Sequence, residues 1–488
     1  TSDAVVKDII SPQFTLPEGA NVSSITLETY RCTGKNGSDY TWSKNTDAMG
    51  AKASISGDQV NVTGFNFSEN YVGTVTENGS ISYRGNKLVI SFKVRPKAGF
   101  LGGNGVITNA SAGIYENSSA QTPVMTFEQP KVNVPIQDVT VTAEDKNVYL
   151  LGDVTADQLK DGATVKVGDV TLDLSKANQN YGLEPWQTAY VDITVRVKGK
   201  DGTVVSDKLE ALKEDTTYTV EVTVTPKTDG SGSTGAPATA KIGQNIPANI
   251  NVFKPELTFK DSQIDLGDTA VYEEQNHGTN FKVWKHGEST DEGVTMIGTK
   301  PELTLSYDPE AVAFTQDTPV KVTAKISNND VTGHTKFVHE NCTFEGCKWN
   351  DLYAEGKSEH GNAHFIVHVK SFDLTIKKTG MQDIDENQSF VFEVKKDDGS
   401  TFSMDVVIQG NSSVTIKGLK PGTYTVTEET GWSWRYTPKA NGQKVEPENA
   451  VNGVVTVTFE NTREKIKWLN GGAWCKNLWG TSTASKSN

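Results

Sequence analysis

The chain has 488 residues, of which 22% are charged and 35% hydrophobic, and its formal net charge is −14. This length exceeds what one compact core supports and predicts three to five domains. The acidic balance argues against a nucleic-acid partner and against docking on anionic lipid, since both need basic patches. No apolar run approaches 18 residues, so we expect no membrane insertion.

Strand patterns run through the chain. Alternating apolar and polar residues, rich in Val, Ile, Thr, Tyr and Phe, predict half-buried strands between turns of Gly, Asn, Asp and Pro. The clearest runs are KLVISFKV (87–94), TYTVEVTVTP (217–226), PVKVTAKIS (319–327), HFIVHVKSFDLTI (364–376), SFVFEVK (389–395) and GVVTVTFEN (453–461). A short helix is predicted at TADQLKDG (155–162), with Thr155 as its N-cap. The fold class is therefore all-β, built from β-sandwiches.

Proline-marked connectors suggest domain boundaries. FEQPKVNVPIQDVTV (127–141) and QNIPANINVFKPELTF (244–259) each place an extended segment between prolines, which fix φ and lack a donor. A third boundary falls where HFIVHVK feeds into FDLTI. We predict four tandem β-sandwich domains in an elongated array and a short tail: 1–133, 134–252, 253–371, 372–463 and 464–488.

The first half of the chain carries a family resemblance. AVVKDIISPQF (4–14), GFNFSENYVG (64–73) and KLVISFKVRPKAGFLGGNGVITNASAGIY (87–115) resemble modules of large clostridial-type surface proteins. The resemblance implies a CnaA-like first domain and an immunoglobulin-like second one. In isopeptide-forming CnaA-like domains an aspartate near the start works with an asparagine near the end, roles that Asp8 and Asn109 would fill. No lysine is clearly placed, because Lys7 alternates to the other face and Lys93 is only an alternative.

The glycine-rich stretch GFLGGNG (99–105) follows a strand pattern but precedes no helix and lacks a phosphate-loop lysine. We interpret it as a flexible hairpin.

Histidines and cysteines cluster near the end of the third domain. Cys342 and Cys347 lie among His334, His339, His360, His364 and His368. Thiolates and imidazoles suit structural zinc, but the spacing is Cys-x4-Cys rather than a CxxC knuckle. The resemblance to exported proteins favours a Cys342–Cys347 disulfide over zinc or free thiols. We assign no metal and no cofactor.

Three inward-facing columns in the last domain end in polar residues. The first strand aligns Leu374 and Ile376 with Lys378, and the middle strand aligns Tyr424 and Val426 with Glu428. The last strand aligns Val455, Val457 and Phe459 with Asn461. Strand alternation favours Lys378 and Glu428 over the adjacent Lys377 and Glu429.

Such buried polar groups must satisfy one another or react. Burial favours the neutral forms of an amine and of a carboxylic acid. A neutral lysine amine is a nucleophile, and a nearby acid can polarise a carboxamide and relay protons. The expected product is a Lys–Asn isopeptide bond with loss of ammonia; the alternative is an unreacted triad at the strand ends.

The motifs LTIKKTG, IKGLKPGTYTVTEETGW and VTVTFEN resemble those of CnaB-like (SpaA-type) domains of Gram-positive pilins and adhesins. Members have lysine ending the first strand, YxhxE after a Gly-Leu-x-x-Gly turn, and asparagine ending the last strand. The resemblance covers about 90 residues and implies that Lys378 and Asn461 are bond partners and Glu428 is catalytic.

We expect the chain to form an extracellular stalk or adhesin segment on a Gram-positive cell surface. Its ligand would be an unknown protein or glycan of a host or neighbouring cell. The chain is not an enzyme with turnover. The alternative is a ligand-binding module, a lectin or host-protein receptor, with recognition loops in the first three domains. Trp432 and Trp434 allow a sugar-stacking interpretation, but we favour a packing patch with Arg435.

Overall fold

A computed structural model describes residues 3–272, 281–339 and 364–464. Strands dominate, and the predicted all-β fold class is confirmed. The helices within these ranges are short: α1 Ala156–Lys160, α2 Pro185–Thr188, and 3-10 segments at Val22–Ser24, Leu174–Gly182, Thr332–His334, Asp383–Asp385, Thr430–Trp432 and Pro447–Asn449. The first is the predicted helix, and the Thr155 hydroxyl accepts a hydrogen bond from the Gln158 N–H as its N-cap.

The described chain divides into two compact units. Unit 1 comprises Thr1–Val252 with Gly293–Thr299, and unit 2 comprises Phe253–Glu292 with Lys300–Asn488. The four-domain division stays a prediction. Within the described ranges, no helix is long and apolar enough to cross a bilayer.

The strands up to the unit boundary are β1 Val5–Ile10, β2 Phe14–Thr15, β3 Thr26–Asn36, β4 Asp39–Lys44, β5 Lys52–Ser56, β6 Gln59–Thr63, β7 Gly73–Glu77, β8 Ser80–Arg84, β9 Asn86–Ser91, β10 Arg95–Pro96, β11 Gly103–Ile107, β12 Asn109–Tyr115, β13 Met125–Thr126, β14 Lys131–Val134, β15 Val139–Thr142, β16 Lys146–Tyr149, β17 Val154–Thr155, β18 Thr164–Val167, β19 Val170–Leu172, β20 Val191–Gly199, β21 Lys208–Leu209, β22 Thr216–Pro226, β23 Lys241–Gln244 and β24 Ala248–Phe259.

In unit 1, residues before 134 form a five-stranded sheet, β13-β12-β1-β6-β5, and a three-stranded sheet, β4-β3-β9. The glycine-rich stretch is not a flexible hairpin, so that interpretation is wrong. Residues 100–104 are buried, and β11 pairs with β14. A Cβ on Gly103 would lie 2.5 Å from Cβ of Tyr190, so the glycine permits a close approach of two backbones.

The remaining strands are β25 Ser262–Asp265, β26 Lys282–His286, β27 Ser289–Thr290, β28 Leu303–Asp308, β29 Thr318–Ile326, β30 Asn329–Asp330, β31 Lys336–His339, β32 His364–Lys370, β33 Phe372–Thr379, β34 Ser389–Lys396, β35 Ser403–Gln409, β36 Ser413–Leu419, β37 Tyr424–Glu428, β38 Tyr436–Pro438, β39 Gln443–Val445 and β40 Val454–Arg463.

From Phe372 onward, two four-stranded sheets form a sandwich. Their orders are β36-β33-β40-β38 and β35-β34-β37-β39. The core between them is fully apolar at its centre, where Leu374, Ile376, Phe392, Val426 and Phe459 are completely buried. The first and last strands, β33 and β40, are neighbours that run parallel, and Ile376 lies opposite Val457. This pairing places the ends of both strands at the same edge of the sandwich.

Gly380 directly follows β33 with φ +86°, and a Cβ there would lie 2.3 Å from the backbone oxygen of Asn461. We predict that Gly380→Ala destabilises the β33–β40 pair through two separate effects. The strained φ costs about 1–3 kcal/mol, and the clash with the Asn461 backbone costs a further ~1–3 kcal/mol. Gly399→Ala is the matched control, because Gly399 also has positive φ, +77°, but nothing lies within 4 Å of its Cβ position. Hydrogen exchange of β33 and β40 peptides in the whole chain should rise for Gly380→Ala only; equal exchange in both variants would contradict this steric account.

Candidate functional site

The three inward columns of the last sandwich end in buried polar side chains. Lys378 and Glu428 are each 1% exposed, and Asn461 is 2% exposed. The adjacent Lys377 and Glu429 are exposed. Period-two alternation along β33 and β37 therefore points one member of each adjacent pair into the core.

The sandwich supplies the three side chains from both of its sheets. Lys378 on β33 and Asn461 on β40 lie on neighbouring parallel strands of one sheet, where Lys378 is opposite Phe459. Glu428 ends β37 in the other sheet. Amine and carboxamide therefore share one wall of the core, and the carboxyl group belongs to the opposite wall.

Hydrogen bonds join the glutamate to the asparagine. The Asn461 Nδ2 donates to Glu428 Oε1 at 2.7 Å, and the Ser433 hydroxyl donates to the same oxygen at 2.5 Å. The Asn441 side chain brackets the Glu428 backbone: its Oδ1 accepts from the Glu428 N–H at 2.7 Å, and its Nδ2 donates to the Glu428 carbonyl at 3.0 Å. Both the carboxyl group and the backbone of Glu428 are thus fixed by neighbouring residues.

The lysine amine has few polar partners. Its Nζ donates to the Thr379 carbonyl at 3.0 Å and lies 4.3 Å from the centre of the Phe390 ring. Burial lowers the pKa of Lys378 from its ordinary value of 10.5 to about 8, although the charges of Glu428 and Glu460 oppose this shift. A pKa of that size leaves ~10% of the amine neutral at pH 7, so a nucleophilic fraction exists near neutrality.

Two buried oxygens of the pair lack partners. Glu428 Oε2 and Asn461 Oδ1 are inaccessible to water and accept no hydrogen bond. An unpaired buried acceptor costs free energy comparable to a lost hydrogen bond. The carboxyl group and the carboxamide therefore each keep one oxygen without a donor among the described residues.

Sequence reasoning missed Ser433 and Asn441. Ser433 is fully buried in the turn after β37, and Asn441 lies in the loop before β39. Neither belongs to a strand column, so alternation gives no signal for them. The only available signal is the occurrence of short hydrogen-bonding residues soon after the YTVTE strand.

In unit 1, Asp8 and Asn109 lie on the adjacent strands β1 and β12. Asp8 on β1 lies opposite Ala112 of β12, and Asn109 lies opposite Ile10. Burial raises the pKa of Asp8 to about 6, and its Oδ1 has no hydrogen-bond partner. Lys7 is committed elsewhere, with its Nζ 2.7 Å from the Ala120 carbonyl.

The predicted disulfide lies outside the described residues, as do Cys342, Cys347, His360 and the side chains of His339 and His364. His368 is described and buried, with Nδ1 3.0 Å from an Asp317 oxygen and Nε2 3.1 Å from an Asp261 oxygen. Within the described ranges, no group of three or more potential ligands is arranged to hold a metal ion.

No family model and no curated protein matches the chain. Among solved structures, the Bacillus anthracis TIE protein is 11% identical with a TM-score of 0.27, over 68% of this chain and 59% of that one. A Mobiluncus mulieris adhesin, described as containing intramolecular disulfide, isopeptide and ester bond cross-links, is 13% identical with a TM-score of 0.19, over 57% of this chain and 100% of that one. The pilus adhesin SpaC from Lactobacillus rhamnosus GG is 12% identical with a TM-score of 0.20, over 95% and 57%. The chain thus spans less than two thirds of TIE and SpaC, and similarity this low assigns no function to it.

We predict that in Asn461→Ala, which cannot form the bond, Lys378 titrates near pH 8. Between the lowered pKa of Lys378 in the folded variant and its ordinary value in the unfolded chain, the folded variant binds fewer protons than the unfolded chain. Its free energy of unfolding therefore rises with pH across that window. The 13Cε shift of Lys378 against pH measures the pKa directly. A midpoint near 10.5 would show that the folded protein does not desolvate this amine.

Proposed function

We propose that the chain is part of an extracellular Gram-positive surface protein, an adhesin or pilus-like stalk, whose last domain is locked by a Lys378–Asn461 isopeptide bond. The observation that carries the proposal is the joint burial of Lys378, Glu428 and Asn461 at one end of an apolar core. The resemblance of the three strand-end motifs to CnaB-like domains supports it from the sequence side.

In the proposed reaction, the neutral Lys378 amine attacks Cγ of Asn461. A C–N bond to Nζ forms, and the bond from Cγ to Nδ2 breaks. Glu428 gives its proton to the leaving nitrogen, which departs as ammonia, and takes one back from the attacking nitrogen. One amine and one primary carboxamide give one secondary amide and one ammonia, so no co-reactant is needed. Since the product stays in the protein, the reaction occurs once and there is no turnover.

The two unpartnered oxygens support a protonated glutamate at the start of this reaction. A proton on Glu428 Oε2 can be donated to Asn461 Oδ1 while Asn461 Nδ2 donates to Glu428 Oε1. Both orphan acceptors are then satisfied, and the carbonyl is polarised towards attack. The Ser433 hydroxyl keeps Oε1 oriented as an acceptor.

The bond would join strands that carry load. It links β33 to β40 across 83 residues of sequence, and a cross-link that closes such a loop stabilises by about 4–5 kcal/mol if it acts as a disulfide does. A pulling force on the domain ends would pass through the bond and bypass the intervening strands. Such a device suits a tethered surface protein under shear.

We propose further that the adhesin binds a protein or glycan of a host or neighbouring cell. A ligand-binding role for the first three domains is the second candidate, and a large cleft in the first domain favours it. The Cys342–Cys347 disulfide belongs to the proposed extracellular setting, because disulfides persist in oxidising compartments.

Intact mass spectrometry tests the bond. We predict that the wild-type chain lacks the mass of one ammonia, and that Lys378→Ala and Glu428→Ala keep it, since they remove the nucleophile and the proton relay. Lys377→Ala and Glu429→Ala are matched controls, being adjacent but exposed, and should lose ammonia as the wild type does. A full-mass wild type would contradict the proposal, and so would cross-linking in Glu428→Ala at the wild-type rate.

Ser433 is a positioning residue in this reaction. Glu428 becomes charged when it gives up its proton, and a hydrogen bond to a charged group contributes about 1.5–3 kcal/mol. Ser433→Ala should therefore slow cross-linking by roughly tenfold or more without abolishing it. Ser433→Thr, which keeps a hydroxyl, should recover much of the rate, and Thr430→Ala in the same turn should have no effect. The rate is read from the linked fraction at timed intervals after cell-free synthesis. An unchanged rate in Ser433→Ala would remove Ser433 from the mechanism.

A further inference from the structure

The first domain contains a large cleft between its sheets. Its volume is about 740 Å³. One wall comes from the inner faces of β1 and β6, with Val6, Val60 and Val62, and the other comes from β9, with Leu88 and Ile90. A cleft of this size, with mostly apolar walls, has the dimensions of a small-ligand site.

A single carboxyl group interrupts the apolar wall. Asp8 lines the cleft, and no described residue forms a hydrogen bond or ion pair with its carboxyl group. Burying a carboxylate without a partner is costly unless a cation or donor arrives. The cleft therefore combines apolar walls with one unsatisfied anionic group.

The nearby cations are engaged elsewhere. The Lys7 ammonium lies on the other face of β1, 4.7 Å from the centre of the Tyr115 ring. Lys87 lines the cleft, but its ammonium lies 4.6 Å from the Trp42 ring and 5.2 Å from the Tyr30 ring. Neither lysine forms a hydrogen bond or ion pair with Asp8.

Exposed apolar side chains mark the rim. Tyr71, Met125 and Phe127 line the cleft and are 55%, 60% and 39% exposed. The Asn86 amide donates to Asn70 Oδ1 at 2.8 Å, so the polar groups on this side are already paired. Exposed apolar groups around a concave site are typical of ligand-binding surfaces.

We propose that this cleft binds an aliphatic primary amine, with the ammonium group paired to Asp8 and the apolar stem along the valine and leucine walls. The ammonium supplies the cation that the carboxyl group lacks, and the stem fills apolar volume. A lysine side chain of a partner peptide and a free alkylamine share this chemistry. The proposal concerns the first domain and does not depend on the cross-link in the last one.

The charge states fix a pH window. Burial raises the pKa of Asp8 to about 6, while an alkylamine stays protonated to about pH 10. Among the lining residues, only Asp8, Tyr71 and Lys87 are ionisable. The ion pair therefore exists above about pH 6, and binding weakens as the pH falls through that value, because Asp8 becomes neutral. The bound amine should in turn lower the pKa of Asp8.

The test is a methyl NMR titration of the whole chain with n-hexylamine, followed at Val6, Val60 and Val62. Hexan-1-ol, which has the same stem without a charge, is the matched ligand. We expect hexylamine to bind at least about tenfold more tightly at pH 7.5, as one charged hydrogen bond requires, and to lose this advantage at pH 5. Equal binding of the two ligands, or no binding of hexylamine, would overturn the proposal.

Asp8→Asn keeps the shape of the side chain and removes its charge. It should abolish the advantage of hexylamine while hexan-1-ol still shifts the same methyl groups, which shows that the cleft is intact. Asp39→Asn, at an exposed position on β4, should change neither. Unchanged hexylamine binding in Asp8→Asn would overturn the assignment of Asp8. Nα-acetyl-lysine methylamide distinguishes the sources: binding as tight as that of hexylamine indicates a peptide lysine, and weaker binding a free amine.

Discussion

The last domain depends on the cost of burying an amine, a carboxyl group and a carboxamide together. Lys378, Glu428 and Asn461 are shielded from water, so their side-chain polar groups depend on partners within the protein. The apolar columns of β33, β37 and β40 each end in one of the three, so the packing that builds the core also concentrates the polar groups. That packing desolvates the amine and forces the carboxyl group and the carboxamide to satisfy each other.

The carboxyl groups of Glu428 and Asp8, which both line the interior of a sandwich, differ in what surrounds them. Glu428 receives hydrogen bonds from Asn461 and Ser433 and has a lysine on the opposite sheet. Asp8 also faces the interior of a sandwich, but beside an open cleft and with no described hydrogen-bond donor. Residues of the fold supply the hydrogen-bond partners of Glu428, whereas we propose that a bound amine supplies the partner of Asp8.

Much of the last domain follows from period-two alternation alone. Alternation separates Lys378 from Lys377 and Glu428 from Glu429, and the structure buries the expected member of each pair. It gives no information on contacts made by turns, so Ser433 and Asn441 could not be predicted. The glycine-rich stretch differs from its prediction for a related reason. Its composition suggests flexibility, whereas Gly103 leaves room for Tyr190, whose Cβ and backbone oxygen lie against it. The cleft beside Asp8 depends on how two sheets fit together, which strand patterns do not specify.

The central claim is a covalent bond between two named side chains, and peptide mapping tests it most directly. The account predicts a branched peptide after proteolysis of the wild-type chain, in which Lys378 of the β33 segment is joined to residue 461 of the β40 segment with one ammonia missing. Fragment ions should place the link at Nζ of Lys378 and at Cγ of residue 461. Recovery of the two segments as separate, unmodified peptides would contradict the account for this domain, however well the triad is buried.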